Sequence, residues 1–196
     1  MSVRALEALK TKFGDAVIET HSDYGDDTAV VEASRWKEIC RFLRDDSAMN
    51  FDMLVDLCGV DYPDRNPRFE VVIHLYSIAK RHRLRLKARV GDSEGEGAEI
   101  DTLADVWTGS NWFERETYDL MGISFKGHPD LRRILMYPEF EGHPLRKDYP
   151  ANKTQPLIPY RTEAEAGVSL EKQAPFGPDE GMPFGRKVWR TERGES

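Results

Sequence analysis

The chain has 196 residues, of which 32% are charged, and a formal net charge of −7. This length fits one domain plus an extension, and the acidic balance disfavours a nucleic-acid-binding protein, which is typically basic. No apolar run approaches the roughly 18 residues of a membrane-spanning helix, and the first residues resemble neither a signal peptide nor a transit peptide. We therefore expect a protein that stays inside the cell and reaches a membrane only through other proteins.

The first predicted elements are a helix, two strands and a second helix. Apolar residues at helical spacing predict a helix over 3–13 that ends at Gly14. Apolar and β-branched residues predict strands at 16–20 and 27–33. Ser34 is expected to cap the second helix. The buried stripe of that helix is predicted to consist of Trp36, Ile39, Cys40 and Leu43.

Three longer strands are predicted at 51–62, 69–78 and 82–90. The last of them alternates strictly, with Leu84, Leu86, Ala88 and Val90 on one face and Arg83, Arg85, Lys87 and Arg89 on the other. The basic face is either solvated or a surface for an acidic partner. The predicted fold class is α/β: a mixed β-sheet of four to five strands flanked by helices, followed by an extended C-terminal tail.

A polar loop at 91–99 follows the strands. Its glycines do not predict a nucleotide site, because its four acidic residues would repel a pyrophosphate and no glycine-rich motif opens a helix there. Thr102 and Asp105 have the spacing of a capping box and predict a short helix carrying Leu103, Val106 and Trp107. Motifs of nucleotide-binding or hydrolytic enzymes do not occur in the sequence.

A longer helix is predicted at 111–121, with Ser110 as its cap and Gly122 as its end. Four charged residues of this helix are expected to be solvated or in salt bridges: Glu114, Arg115, Glu116 and Asp119. Arg115 and Asp119 are four residues apart and are expected to pair with each other. Cys40 and Cys58 are expected to be buried free thiols. Because an iron–sulfur cluster normally takes four thiolates, we expect no cluster in this chain.

The tripeptide Gly-His-Pro occurs twice, at 127–129 and at 142–144. A metal site would use His128 and His143 with oxygens from Asp130, Glu141 or Asp148. The spacing of the histidines is not a recurring ligand spacing, however, and a histidine before proline between such turns forms a shaped corner. The nearby Arg132, Arg133, Arg146 and Lys147 suit bonds to partner carboxylates. A docking loop is therefore favoured, and a metal-dependent enzyme is the alternative, which elemental analysis distinguishes.

The run "ERETYDLMGISFKGHPDLRRIL", residues 114–135, resembles the signature of the C-subunit family of respiratory complex I, the NADH:quinone oxidoreductase. The run "EGHPLRKDYP", residues 141–150, is similar to the second block of that family, and the likeness of elements begins near residue 30. The chain departs from the family pattern at "MYPEF", residues 136–140, where an Asp-Tyr-Gly turn is expected.

The resemblance implies a non-catalytic core subunit of the hydrophilic arm of a proton-pumping enzyme. It implies no cofactor in this chain, with FMN, iron–sulfur clusters and quinone in neighbouring subunits. The implied partners are the quinone-site D subunit and the iron–sulfur subunits, in a hetero-oligomer that lies peripherally on the cytoplasmic side of the bacterial inner membrane. A homologous subunit of a membrane-bound hydrogenase or another quinone-reducing relative remains an alternative. The expected docking residues are Glu114, Arg115, Glu116, Asp119, His128, Arg132, Arg133, His143, Arg146, Lys147 and Asp148.

The composition changes after Pro150, where prolines punctuate a polar stretch. We therefore divide the chain into an α/β domain at 1–150, which resembles the C subunit of complex I, and an extended, partner-wrapping tail at 151–196. A stretch of this composition cannot bury enough apolar area to fold alone. Its isolated aromatic residues are expected to be anchors in partner pockets: Tyr160, Phe176, Phe184 and Trp189.

Overall fold

The computed structural model describes residues 3–157 of the chain. Its helices are α1 (Val3–Phe13), α2 (Trp36–Asp45) and α3 (Ser110–Met121). Its strands are β1 (Val17–Asp23), β2 (Asp26–Val31), β3 (Met53–Asp61), β4 (Phe69–Ser77), β5 (His82–Val90), β6 (Glu99–Asp101) and β7 (Ser124–Lys126). The anchor residues expected in the tail, Tyr160, Phe176, Phe184 and Trp189, lie outside the described residues.

Five strands form one mixed sheet in the order β1-β2-β5-β4-β3. All neighbours in it are antiparallel except β2 and β5, which are parallel. The predicted α/β class and the mixed sheet of four to five strands are therefore confirmed. The short strands β6 and β7 form a separate parallel pair on either side of α3 in the chain.

The core lies on one face of the sheet, where the helices pack. The stripe predicted for α2 is fully buried, because its apolar residues recur at helical spacing: Trp36, Ile39, Cys40 and Leu43. The alternation of β5 is also confirmed, since its apolar residues join the same core: Leu84, Leu86, Ala88 and Val90. Cys40 is a buried free thiol as predicted, whereas Cys58 is only half-buried because it lies on the opposite face of the edge strand β3.

The opposite face of the sheet carries the basic row of β5. Carboxylates on the neighbouring strands pair with this row. Asp26 on β2 pairs with Arg83 and Arg85, and Glu70 on β4 pairs with Lys87 and Arg89. The row is thus charge-balanced by strands of the same chain, which weakens the interpretation of it as a surface for an acidic partner.

None of the three predicted capping residues caps its helix as expected: Ser110 is the first residue of α3, which has no side-chain capping bond, and the other two have other roles. Ser34 does not cap α2, because it lies in a 3₁₀ turn at Ala33–Arg35 and its hydroxyl donates to Glu32. The short helix predicted after Thr102 is a turn, since the Thr102 hydroxyl accepts from the N–H of Ala104 and itself donates to Glu114. The turn is anchored to the core by the indole of Trp107, which donates to the carbonyl of Phe51 at 3.1 Å.

The compact unit that contains the sheet continues to Pro156. Its last residues bind the loop before them, because the side-chain amide of Gln155 bonds both the N–H and the carbonyl of Glu141, at 2.9 and 3.1 Å. None of the helices in the part of the chain that the structure describes is long and apolar enough to cross a bilayer.

Candidate docking surface on helix α3

Helix α3 packs directly on the edge strand β3 at Gly59. A Cβ at this glycine would lie 3.0 Å from Ile123, 3.1 Å from Thr117 and 3.2 Å from Met121. A larger residue would therefore push the helix off the strand. The close contact fixes the buried face of α3, and with it the direction of every side chain on the opposite face.

Glu114 lies on the buried face of α3, so the predicted alternative of a solvated carboxylate is wrong. Its Oε2 lies 3.9 Å from Nε2 of His128, within the distance of an ion pair. Glu114 is fully buried, and its carboxylate accepts from the Thr102 hydroxyl and, at 2.7 Å, from the N–H of Leu103. Burial raises the pKa of Glu114, although these donors oppose the shift. The carboxylate thus joins α3 to the chain that follows β6.

Asp119 is the second buried acid of α3, and it binds the loop after β7. Its carboxylate accepts from Arg133 at 2.8 Å. It also accepts from the N–H groups of Ile134, Leu135 and Met136 at 2.8 to 3.0 Å. Burial works against the charged form, but these donors outweigh it and lower the pKa of Asp119.

Arg115 does not form the predicted ion pair with Asp119. Its guanidinium donates to the carbonyl oxygens of Arg132 and Arg133, at 3.1 and 3.2 Å. Asp119 and Arg115 therefore hold the same loop from adjacent turns of the helix. The exposed Arg132 pairs locally with Asp130 at 2.8 Å.

The second Gly-His-Pro block, residues 141–150, binds the C-terminus of α3. The last four carbonyls of a helix have no partner within the helix, and here each has one. The carbonyls of Tyr118 and Leu120 accept from the backbone N–H groups of Gly122 and Leu145, respectively. The carbonyl of Asp119 accepts from the imidazole of His143, and that of Met121 accepts from the guanidinium of Arg146. All four distances lie between 2.7 and 3.1 Å. A cation at this end also interacts favourably with the helix dipole. The block is thus part of the fold of this chain.

Gly122 makes this arrangement possible. It has φ +76°, and a Cβ there would lie 2.6 Å from both His143 and Arg146. Only glycine takes this conformation without strain and leaves room for the two side chains. Burial, with Arg146 and Arg133 nearby, lowers the pKa of His143, so the neutral imidazole is the form that caps the helix.

His128, in the first Gly-His-Pro tripeptide, binds the N-terminal end of α3. The Nε2–H of His128 donates to the carbonyl of Asn111 at 3.3 Å, and its Nδ1 accepts from the N–H of Asp130 at 3.0 Å. His128 and His143 thus bond to opposite ends of the helix. Within residues 3–157, the structure has no group of three or more histidine, cysteine or acidic side chains that could hold a metal ion.

A buried ion pair joins the second block to the sheet. Asp61, at the end of β3, accepts two bonds from Arg68 at 2.7 and 2.8 Å and one from the N–H of Lys147 at 2.8 Å. Arg68 also donates to Asp148 at 2.9 Å. The guanidinium lowers the pKa of both carboxyl groups. Sequence reasoning missed this pair, although an acid at the end of a strand and an arginine opening the next were visible.

The residues predicted to dock a partner therefore divide into two groups. Most are buried or half-buried and make hydrogen bonds within the chain: Glu114, Arg115, Asp119, His128, Arg133, His143 and Arg146. The others are exposed, although Arg132 and Asp148 also pair within the chain: Glu116, Arg132, Lys147 and Asp148. Sequence reasoning also missed three exposed apolar residues beside them, Trp112, Leu135 and Leu145. Docking by any of these residues remains a prediction.

Comparison with known proteins identifies the family. The family model described as "Respiratory-chain NADH dehydrogenase, 30 Kd subunit" matches residues 29–155, which include α3 and both Gly-His-Pro blocks. The chain belongs to this family. The match begins where the likeness of elements was predicted to begin, near residue 30, so the resemblance to the C-subunit family of complex I is confirmed.

Several bacterial relatives of the family are similar over most of their length. The chain is 48% identical to the C 2 subunit of NADH-quinone oxidoreductase from Rhizobium etli, over 72% of this chain and 74% of that protein. It is also 48% identical to the C subunit of NADH-quinone oxidoreductase from Geotalea uraniireducens, over 75% of this chain and 87% of that protein.

A solved structure shares the fold. It is a chain of the membrane-bound sulfane sulfur reductase, an archaeal respiratory membrane complex, with a TM-score of 0.62 and 23% identity over 76% of this chain and 87% of that one. At this identity the likeness concerns the fold alone.

Proposed function

We propose that this member of the 30 Kd subunit family is the non-catalytic C subunit of a proton-pumping NADH:quinone oxidoreductase. The observation that carries the proposal is the 48% identity, over about three quarters of the chain, to bacterial proteins of that name. The chain docks the quinone-site D subunit and the iron–sulfur subunits in a hetero-oligomer. It supports electron transfer from NADH to quinone by holding those subunits in place.

In this proposal the redox groups belong to neighbours. FMN, the iron–sulfur clusters and quinone are bound by other subunits, and this chain binds none of them. This assignment is supported by the hydrogen bonds of the α3 region. Its acids and histidines, which are the side chains that could bind a redox group, already bond to backbone and side chains of the same region. The complex places the chain peripherally on the cytoplasmic side of the bacterial inner membrane.

Deletion of the gene in its host tests this function. Membranes of the deletion strain should lose NADH-dependent quinone reduction and regain it when the tagged full-length chain is expressed from a plasmid. Succinate-dependent quinone reduction in the same membranes is the control and should not change. The tagged chain, purified in mild detergent, should retain the other subunits of the enzyme.

The purified chain on its own should oxidise no NADH with artificial acceptors and should have no visible absorbance band. Normal NADH-dependent quinone reduction in the deletion strain would contradict the proposed function. So would purification of the tagged chain from membranes without any other subunit of the enzyme.

A further inference from the structure

Residues 127–157 form an irregular segment without helix or strand, yet hydrogen bonds to α3 hold much of it in place. Long irregular segments within compact domains are usually either functional or disordered linkers. Asp119 binds three consecutive N–H groups of this segment, and the block at 143–146 closes the end of the helix. A surface preorganised in this way loses little conformational entropy when a partner binds it.

Three large apolar side chains project from this framework into solvent. Trp112 is 65% exposed, Leu135 57% and Leu145 52%. Trp112 lies in the first turn of α3, Leu135 is held by Asp119, and Leu145 is held by the carbonyl of Leu120. From residue 112 to residue 120 the helix rises about 12 Å at 1.5 Å per residue, which is a distance that one protein partner can cover.

Trp112 lies on the side of α3 that faces away from the sheet, and the Asp119 carboxylate that binds the N–H of Leu135 projects from the same side. Residues 112, 115 and 119 follow one another at spacings of three and four, so they share a face. Residues 114, 117 and 121 form the opposite, buried face, which packs on β3. Trp112 is therefore not a partly exposed member of the hydrophobic core.

Arg115, a cation beside Trp112, forms no ion pair with a carboxylate among the described residues. Arg115 donates to two carbonyl oxygens, and its guanidinium lies 5.8 Å from the centre of the Trp112 ring. Glu116, the next residue, is exposed and makes no ion pair with it in the described part of the chain. Covering Trp112 would desolvate this charge, and a desolvated charge is costly unless the partner supplies an opposite one.

We propose that Trp112, Leu135 and Leu145, with Arg115 beside Trp112, form the surface on which another subunit of the same enzyme docks. The docked protein offers apolar sockets for the three side chains and a carboxylate for Arg115. The inference rests on the proposed function and names the surface that performs it. The two Gly-His-Pro blocks then serve to shape and hold the surface.

Photo-crosslinking in the full-length chain tests the occupant of the surface. Trp112→p-benzoylphenylalanine is expressed in the deletion strain, membranes are irradiated, and the peptides joined to the tagged chain are identified by mass spectrometry. Ile78→p-benzoylphenylalanine is the matched control, because Ile78 is 62% exposed and directly follows β4. Position 112 should crosslink to another subunit of the enzyme at least about tenfold more than position 78.

Three crosslinking results would overturn the inference while leaving the proposed function in place. They are a crosslink to a second copy of the chain, a crosslink to residues 158–196 of the same chain, and a yield no higher than that of the control although other subunits copurify. If the wild-type chain is purified without any other subunit, both proposals fail.

The carboxylate that the docked protein is proposed to offer Arg115 is tested separately. Arg115→Lys keeps the charge and introduces an amine, so treatment of the purified complex with a carbodiimide should join residue 115 to an Asp or Glu of the docked protein by an amide bond. Absence of that product, when position 112 crosslinks as expected, would refute the ion pair.

Interface variants give a quantitative measure. Trp112→Ala and Leu135→Ser should each lower the amount of copurified subunits at least about tenfold, since buried tryptophan and its neighbours often dominate an interface. Ile78→Ser should not lower it. The thermal unfolding midpoints of the purified chains should match, and equal copurification with all variants would overturn the inference.

Discussion

Substitution of Gly122 by alanine should destabilise the domain by two separable effects. A non-glycine residue in the left-handed region costs about 1–2 kcal/mol. The new Cβ would also lie 2.6 Å from His143 and Arg146, so both side chains must move. Movement breaks the bond of His143 to Asp119, worth about 0.5–1.5 kcal/mol, and that of Arg146 to Met121, worth about 1.5–3 kcal/mol as a charged bond.

The total loss of stability depends on whether Arg146 can move away from the new Cβ and still keep its bond to the carbonyl of Met121. The free energy of unfolding should fall by about 1.5–6.5 kcal/mol in Gly122→Ala. Gly97→Ala is the matched control, because Gly97 has φ +63° and a Cβ there would meet nothing within 4 Å. This control measures the backbone strain alone and should lose only about 1–2 kcal/mol.

Urea unfolding of the purified full-length chain, followed by circular dichroism, measures both variants. The difference between them is the contribution of the helix cap. If Gly122→Ala loses no more than about 0.5 kcal/mol beyond Gly97→Ala, a typical error of mutational additivity, the cap formed by the second Gly-His-Pro block does not stabilise α3 and the reasoning is refuted.

Further predictions concern the buried charges and the exposed arginine. Arg68→Met leaves the carboxylate of Asp61 buried without its partner and should lower the free energy of unfolding by about 3–5 kcal/mol; a loss below about 1 kcal/mol in urea unfolding would contradict this. The pKa of Asp119 is lower in the folded chain than in the unfolded one, so its contribution to stability is present above the unfolded value of about 3.9 and is lost as the pH falls through the lower folded value. Asp119→Asn should therefore flatten the dependence of stability on pH between about 2 and 5, measured by urea unfolding, and an unchanged slope would count against it. Arg132→Glu should change stability by about 0.5 kcal/mol or less, because Arg132 is 71% exposed, yet lower the yield of assembled complex. Arg146→Glu should lower both the melting temperature and the yield, since Arg146 caps α3; normal melting of that variant would argue against the cap.

Local patterns in the sequence determined the three helices and the five strands of the main sheet, together with their buried faces. The stripe of α2 and the alternation of β5 were predicted correctly, because burial repeats with the period of each element and that period is written in neighbouring residues. The long signature at 114–135 was likewise readable without a structure. Gly122 as the end of α3 followed from the preference of helix ends for glycine.

Only the tertiary structure decided the environment of the charged groups. Surface exposure is the default for acids on a helix, so Glu114 and Asp119 were predicted to be solvated or paired along α3. Their actual partners come from segments on either side of the helix in the chain, around Thr102 and Arg133. The same holds for the basic row of β5, which is balanced by Asp26 because the parallel pairing of β2 and β5 brings distant residues together. Hydrogen bonds between residues far apart in sequence leave no periodic signal, and the fold of the whole domain is needed to show which of them form.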